Sequence, residues 1–373
     1  MQIGLLKEPQ HEKRVALLPE VVEQLKKLNV NVLVEKDAGS NAFVSDDDYR
    51  NAGAEIAGRD KVLSDSDLLI KINTFTTDEV SKLKPNQSIL ATLSPFQNIE
   101  LVKQVKGVNV TAFSLDMIPR TTRAQAMDIL SSMATVAGYR AVLDAALHLP
   151  KFFPMFMSAA GTIKPAKVLI LGAGVAGLQA IATARKLGAV VEVFDVRAAV
   201  KEEVMSLGGK FIEVEGAKDD KSAGGYAVEQ TEEFKQRQKQ LIHDHAVKAN
   251  VIITTAQIPG KKAPLLVTKE TVEGMVTGSV IIDLAASTGG NCELTQNGKT
   301  IEHNKVTIIG KSDYPSDMSF DASKMIGNNI FNFLKLIIGK EGQLNLNFDD
   351  EIVKGTCIVH NNEIVNEKLK ELV

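Results

Sequence analysis

Three glycines, Gly172, Gly174 and Gly177, stand in GxGxxG spacing, and an aspartate, Asp195, closes the next apolar run. Each has a distinct task if the segment cradles a pyrophosphate. Gly172 permits a tight turn, Gly174 lacks the Cβ that would hold the backbone off the phosphates, and Gly177 lets a helix pack closely on a strand. A helix opening at Val175 and Ala176 presents free N–H groups to negative charge. The context strengthens the pattern: the strand-like run Lys167–Leu171 precedes it, and the helical run Leu178–Leu187 follows. A glycine-rich packing turn is the plainer reading of the same residues. Asp195 supplies an acceptor for an adenosine ribose diol, and its charge disfavours a 2′-phosphate, so the cofactor expected is NAD(H). Arg197 is the counter-signal, because arginine accommodates the 2′-phosphate of NADP(H).

A second group, Arg120, Gln125, Asp128 and Ser131, lies in PRTTRAQAMDILSS. The last three are three apart, which on a helix puts them on one face, with Ser132 four residues beyond Asp128. Arg120 follows Pro119 and can fold back toward Asp128 as a rigid arginine–carboxylate fork. Amide, carboxylate and hydroxyl together suit a nicotinamide carboxamide and its ribose. A solvated helix face carrying a surface ion pair explains the same residues equally well. The histidines offer little: His243 and His245 are two apart and diverge on a helix, and the other four are isolated, so no metal site is expected.

The elements that would position these groups alternate. Strands are expected at Gln2–Leu6, Val30–Val34, Asp67–Ile72, Ser88–Leu93 and Val108–Ser114. A helix opens at Pro19, with Val21, Val22, Leu25 and Leu28 at helical spacing, another at Asp46 behind Ser45 as N-cap, and another over Ile99–Val105. Thr122–His148 reads as one long helical stretch. A second series of strands follows at Lys167–Leu171, Val190–Asp195, Lys210–Val214, Val251–Thr254, Val280–Asp283 and Val306–Gly310. A helix over Asp321–Ile338 returns the chain to the first domain. The fold expected is α/β, two doubly wound parallel-sheet (Rossmann-like) domains with a cleft between them. The first comprises residues 1–135 plus 320–373, and the second residues 136–319.

Composition bounds the function. At 373 residues, 44% hydrophobic and 24% charged, the chain reads as a soluble enzyme of more than one domain. Net charge −3 and the absence of Trp leave no basic face or stacking platform for nucleic acid. The two cysteines, Cys292 and Cys357, form no CxxC pair, which fits a reducing compartment. The N-terminus has no apolar signal segment. Val168–Ala184 runs without a charge, but its glycine spacing and change of period argue against a membrane span.

Three segments carry a family resemblance: MQIGLLKEPQHEKRVALLPE, PRTTRAQAMDILSSMATVAGYRAV and GAGVAGLQAIATARKLGAVVEVFDVR. They resemble the NAD(H)-binding component, the alpha subunit, of proton-translocating NAD(P) transhydrogenases, over Met1 to about Glu351. The resemblance implies that Arg120, Gln125 and Asp128, with Ser131 assisting, position the nicotinamide of NAD(H). It implies cofactor contacts from Gly172, Gly174, Val175, Ala176, Gly177, Asp195, Val196, Arg197, Ser132 and Tyr139. It also implies a closing loop in GAKDDKSAGGYAVEQ, with Tyr226 as its contact; Gly224-Gly225 supplies a hinge there. The implied partners are an NADP(H)-binding subunit, a proton-conducting membrane subunit and a second copy of this chain. The chain would then sit peripherally on the cytoplasmic face of the membrane, without inserting. Alanine dehydrogenase shares this ancestry and is the alternative. Such an enzyme needs an arginine, a lysine and a titrating acid/base. By resemblance Arg14 and Lys71 take the first two positions, and the third is Thr92, whose hydroxyl does not titrate near neutrality.

Overall fold

The structure, a computed structural model, describes residues 1–214, 231–257 and 261–373. It divides into two compact units, one of Met1–Met133 with Pro315–Val373, the other of Ala134–Tyr314.

In the first unit six strands run parallel: β1 (Gln2–Leu5), β2 (Asn31–Glu35), β3 (Glu55–Ala57), β4 (Leu68–Ile70), β5 (Ser88–Ala91) and β6 (Thr111–Ser114). Their order, β3-β2-β1-β4-β5-β6, is that of a doubly wound nucleotide-binding sheet. Most of these strands are buried along their length, as continuous apolar runs require when helices cover both faces. The helix Pro19–Lys26 starts at its proline and buries Val21, Val22 and Leu25. The helix Asp46–Asn51 is closed by a capping box of Ser45 and Asp48. The helix Ser319–Ile337 buries Ile326, Ile330, Phe333 and Ile337 in the same core as Ile3, Leu5 and Val22, with Phe333 edge-on to Phe113 at 5.6 Å.

The second unit carries an antiparallel hairpin, β7 (Phe156–Ser158) and β8 (Gly161–Ile163), and a seven-stranded sheet. That sheet comprises β9 (Lys167–Leu171), β10 (Val190–Phe194), β11 (Lys210–Ile212), β12 (Val251–Thr254), β13 (Val280–Asp283), β14 (Lys299–His303) and β15 (Val306–Gly310). Its order is β11-β10-β9-β12-β13-β15-β14, the same winding with β14 added antiparallel at one edge. Strand order reverses between β9 and β12, where such sheets open a crevice beyond their carboxyl ends. The charge-free stretch from Val168 to Ala184 is β9, a glycine turn and most of the helix Val175–Lys186. Among the described residues no helix is long and apolar enough to cross a membrane. The chain ends in the first unit with the hairpin β16 (Cys357–His360) and β17 (Glu363–Ile364), which adds antiparallel to β6.

The expected single helical stretch over Thr122–His148 is corrected. Thr122–Met127 is a 3-10 segment, Asp128 leaves helical geometry at ψ 94°, and an α-helix runs over Ile129–His148. The cause is Asp128, whose side chain caps the following helix instead of continuing the preceding turn. The short strands β3, β7, β8, β14, β16 and β17 carry no apolar run long enough to announce them.

Candidate dinucleotide site

The turn after β9 has the stereochemistry that a phosphate cradle needs. Gly172 lies at φ +105°, a conformation open to glycine, and a Cβ there would stand 2.5 Å from Thr255 Oγ1. A Cβ on Gly177 would stand 1.9 Å from the Gly172 carbonyl oxygen, so the helix touches the strand end at this residue. Around Gly174 the described residues leave the space empty to 4 Å. Gly174 is also the N-cap of the helix Val175–Lys186, and no side chain caps it. The first N–H groups of that helix, with the positive end of its dipole, therefore face an open space. These features fit the pyrophosphate of a dinucleotide.

Asp195 follows β10 beside this turn. Its Oδ2 accepts from Ala173 N at 2.7 Å and from Arg197 Nη2 at 2.8 Å, and its Oδ1 accepts from Arg197 N at 2.8 Å and Nε at 2.9 Å. Four donors occupy the roughly four lone-pair sites of the carboxylate. A ribose diol reaches Asp195 only as the Arg197 fork yields. Val196 packs partly buried against the cluster containing Leu171 and Phe194.

Asp128 and Ser131 meet directly. Ser131 donates its backbone N–H to Asp128 Oδ1 at 2.9 Å and its hydroxyl to Oδ2 at 2.6 Å, and Ser132 N reaches the Asp128 carbonyl at 3.2 Å. This is an N-cap on the helix Ile129–His148. Gln125 is exposed on the 3-10 segment, so it does not share a helix face with Asp128 and Ser131. That segment is tied to the core by Asn329 and Asn332, both donating to the Ala126 carbonyl. Arg120 is exposed ahead of it. Tyr139, also exposed, lies on the helix that Asp128 caps, beside Gly138. Tyr226 and its segment lie outside the described residues.

A charged network fills the carboxyl ends of β1 and β4 in the first unit. Lys71 is fully buried and donates to both oxygens of Glu79 at 3.2 Å, while Glu79 also pairs with Arg59. Arg14 forks onto Glu12, Nε at 2.8 Å and Nη2 at 2.6 Å. Burial raises the Glu12 carboxyl, but the Arg14 hydrogen bonds and charge, with the Asn73 amide, outweigh it and hold the group at about 2. Glu8 accepts from the backbone of Ile72 and Asn73, and burial pushes its carboxyl up. Thr92 is half-buried just past β5. Sequence reasoning found the cations here and missed the carboxylates. Only Glu79 left a signal, as the third helical residue after the capping Thr76. Thr255, beside Gly172, was missed too; its position directly after a buried strand was the available signal.

The histidines serve separate local contacts, His243 with Thr271 and His245 with Glu192. Both cysteines are buried, and burial pushes their thiols up to about 11 for Cys292 and about 12 for Cys357.

Two Rossmann-like sheets, one bearing an uncapped glycine turn, define a nucleotide-binding α/β oxidoreductase. Residues 4–137 match the family model "Alanine dehydrogenase/PNT, N-terminal domain", and residues 141–367 match "Alanine dehydrogenase/PNT, C-terminal domain". An NAD(P) transhydrogenase subunit alpha polypeptide of Rhodospirillum rubrum is 45% identical over 99% of both chains. The solved transhydrogenase of Sinorhizobium meliloti superposes with a TM-score of 0.89 at 39% identity, over 98% of this chain and 100% of that one. The alanine dehydrogenase of Mycolicibacterium smegmatis is more distant, 26% identical over 96% of this chain and 92% of its own. The chain belongs to the alanine dehydrogenase/PNT family, on the side of the NAD(P) transhydrogenase alpha subunits.

Proposed function

We propose that this chain binds NAD(H) on the Gly172–Gly177 turn and exchanges a hydride with NADP(H) held on a separate subunit. The observation that carries the reading is the open, uncapped helix start at Gly174 with Asp195 set beside it. The bound nicotinamide supplies the hydride at C4. The residues of the chain then bind, orient and exclude water. Backbone N–H groups at Val175 and Ala176 hold the pyrophosphate, Asp195 takes the adenosine ribose, and Ser132, Tyr139 and Tyr226 complete the contacts. Arg120, Gln125, Asp128 and Ser131 fix the nicotinamide end. Transfer between two nicotinamides moves no proton to substrate, so positioning is the main catalytic demand.

The first unit supports this choice over amino-acid oxidation. Lys71 and Arg14, the cations suited to grip a substrate carboxylate, are both held by carboxylates of the chain itself. Thr92 offers no titrating group. The partners in this reading are an NADP(H)-binding subunit and a proton-conducting membrane subunit, with the chain peripheral on the cytoplasmic face of the membrane. A homodimer belongs to the same reading. It is supported by the hairpin β7–β8, which exposes Phe156, Met157 and Ile163.

Calorimetric titration with NADH and NADPH, followed by NADH oxidation with pyruvate plus ammonia, tests the assignment. NADH binding in preference to NADPH, with no pyruvate-dependent oxidation, is expected. Turnover of pyruvate and ammonia by the chain alone would assign it to amino-acid oxidation instead.

A further inference from the structure

One peptide of the phosphate turn is gripped at both ends. The carbonyl of Gly172 accepts from Thr255 Oγ1 at 3.0 Å, and the N–H of the same peptide unit, Ala173 N, donates to Asp195 Oδ2 at 2.7 Å. The two grips come from opposite sides of β9, since Thr255 directly follows β12 and Asp195 directly follows β10. Thr255 is itself fixed, its N–H donating to the Leu171 carbonyl at 2.9 Å.

The orientation of this peptide decides the shape of the turn. Gly172 is at φ +105° and glycine has no side chain to hold it there. Rotating the peptide would turn its carbonyl out of the Thr255 contact and away from the close approach of Gly177, which lies against that oxygen. It would also swing the following N–H groups, which begin the helix start at Gly174.

The geometry points to Thr255 as a positioning residue for the dinucleotide site: its hydroxyl locks the Gly172–Ala173 peptide and so presets the phosphate-binding N–H groups. Asp195 then has two tasks, closing the other end of this lock and meeting the ribose. The inference rests on the reading that the turn binds NAD(H). Thr255 touches the turn and not the cofactor, so its hydroxyl acts on affinity through preorganisation.

The test uses the full chain and three variants, Thr255→Val, Thr255→Ala and Thr255→Ser. Dissociation constants for NADH and for ADP-ribose are measured by calorimetry, with thermal unfolding alongside. Loss of one neutral hydrogen bond should weaken both ligands by the same factor, about fivefold to tenfold, in Thr255→Val and Thr255→Ala. Thr255→Ser keeps the hydroxyl and should bind within about twofold of the parent, even if its unfolding midpoint falls with the lost methyl. Parent-like affinity in Thr255→Val, or failure of Thr255→Ser to restore binding, would overturn the inference while leaving the NAD(H) reading intact. A parent chain that binds neither ligand would overturn both.

Discussion

Gly138 and Ala176 touch backbone to backbone: a Cβ built on Gly138 would lie 2.1 Å from the Ala176 carbonyl oxygen. Ala176 is in the first turn of the phosphate-turn helix, so the missing side chain at position 138 lets the helix Ile129–His148 press directly on the element that presents the N–H groups. The obstacle is backbone, which cannot rotate aside as a side chain would.

Gly138→Ala should therefore overpack this contact. The cost is about 1–3 kcal/mol, offset by up to about 1 kcal/mol of better helix propensity. Denaturant unfolding should show a lower midpoint with unchanged slope, and NADH should bind more weakly. Unchanged stability and affinity would mean that the two helices separate at no cost.

Asp128 has a structural and a proposed functional role, and these come apart in two variants. Asp128→Ala removes the N-cap and should cost about 1 kcal/mol of stability. Asp128→Asn keeps a good cap and should stay within about 0.5 kcal/mol of the parent. Both should slow hydride transfer while NADH still binds. Full transfer activity in Asp128→Asn would assign Asp128 to capping alone.

Glu12 makes the first unit sensitive to acid. Its carboxyl lies at about 2 against an ordinary value of 4.5, because the Arg14 fork and the Asn73 amide outweigh the effect of burial. A carboxyl depressed on folding adds stability above its unfolded value and loses it as pH falls toward its folded one. The contribution, about 3 kcal/mol, should thus be complete above pH 4.5 and fade between about pH 4.5 and 2. Unfolding free energies of the parent and Glu12→Gln, measured across that window, should converge as pH falls. A constant gap from pH 6 to pH 3 would show that the Glu12–Arg14 pair is not the source.

The features legible in the sequence were those encoded locally. The buried runs Lys167–Leu171, Val251–Thr254 and Val280–Asp283 announce parallel strands, and Gly172, Gly174 and Gly177 announce the turn, because each depends on neighbours in the chain. The helix break at Asp128 was hidden: an aspartate three residues before a serine suits a helix face and an N-cap alike, and only the backbone decides. The saturation of Asp195 by Arg197 and Ala173 depends on the twist that brings a β10 end against a β9 turn. The carboxylates Glu8, Glu12 and Glu79 read as surface charges until the fold buries them against Lys71, Arg14 and Arg59. Thr255 gained its contact with Gly172 only through the pairing of β12 with β9, 84 residues apart at Leu171 and Thr255.

The central claim is that the nicotinamide held by this chain passes its hydride to a second nicotinamide on another protein. The most direct measurement mixes the chain, NADH and an NADP(H)-binding transhydrogenase domain charged with NADP⁺, and follows nicotinamide reduction. NADPH should form at the expense of NADH in the mixture and not with either protein alone, and Gln125→Asn should slow its formation without abolishing NADH binding. No transfer in the mixture, together with alanine-dependent reduction of NAD⁺ by the chain alone, would contradict the account.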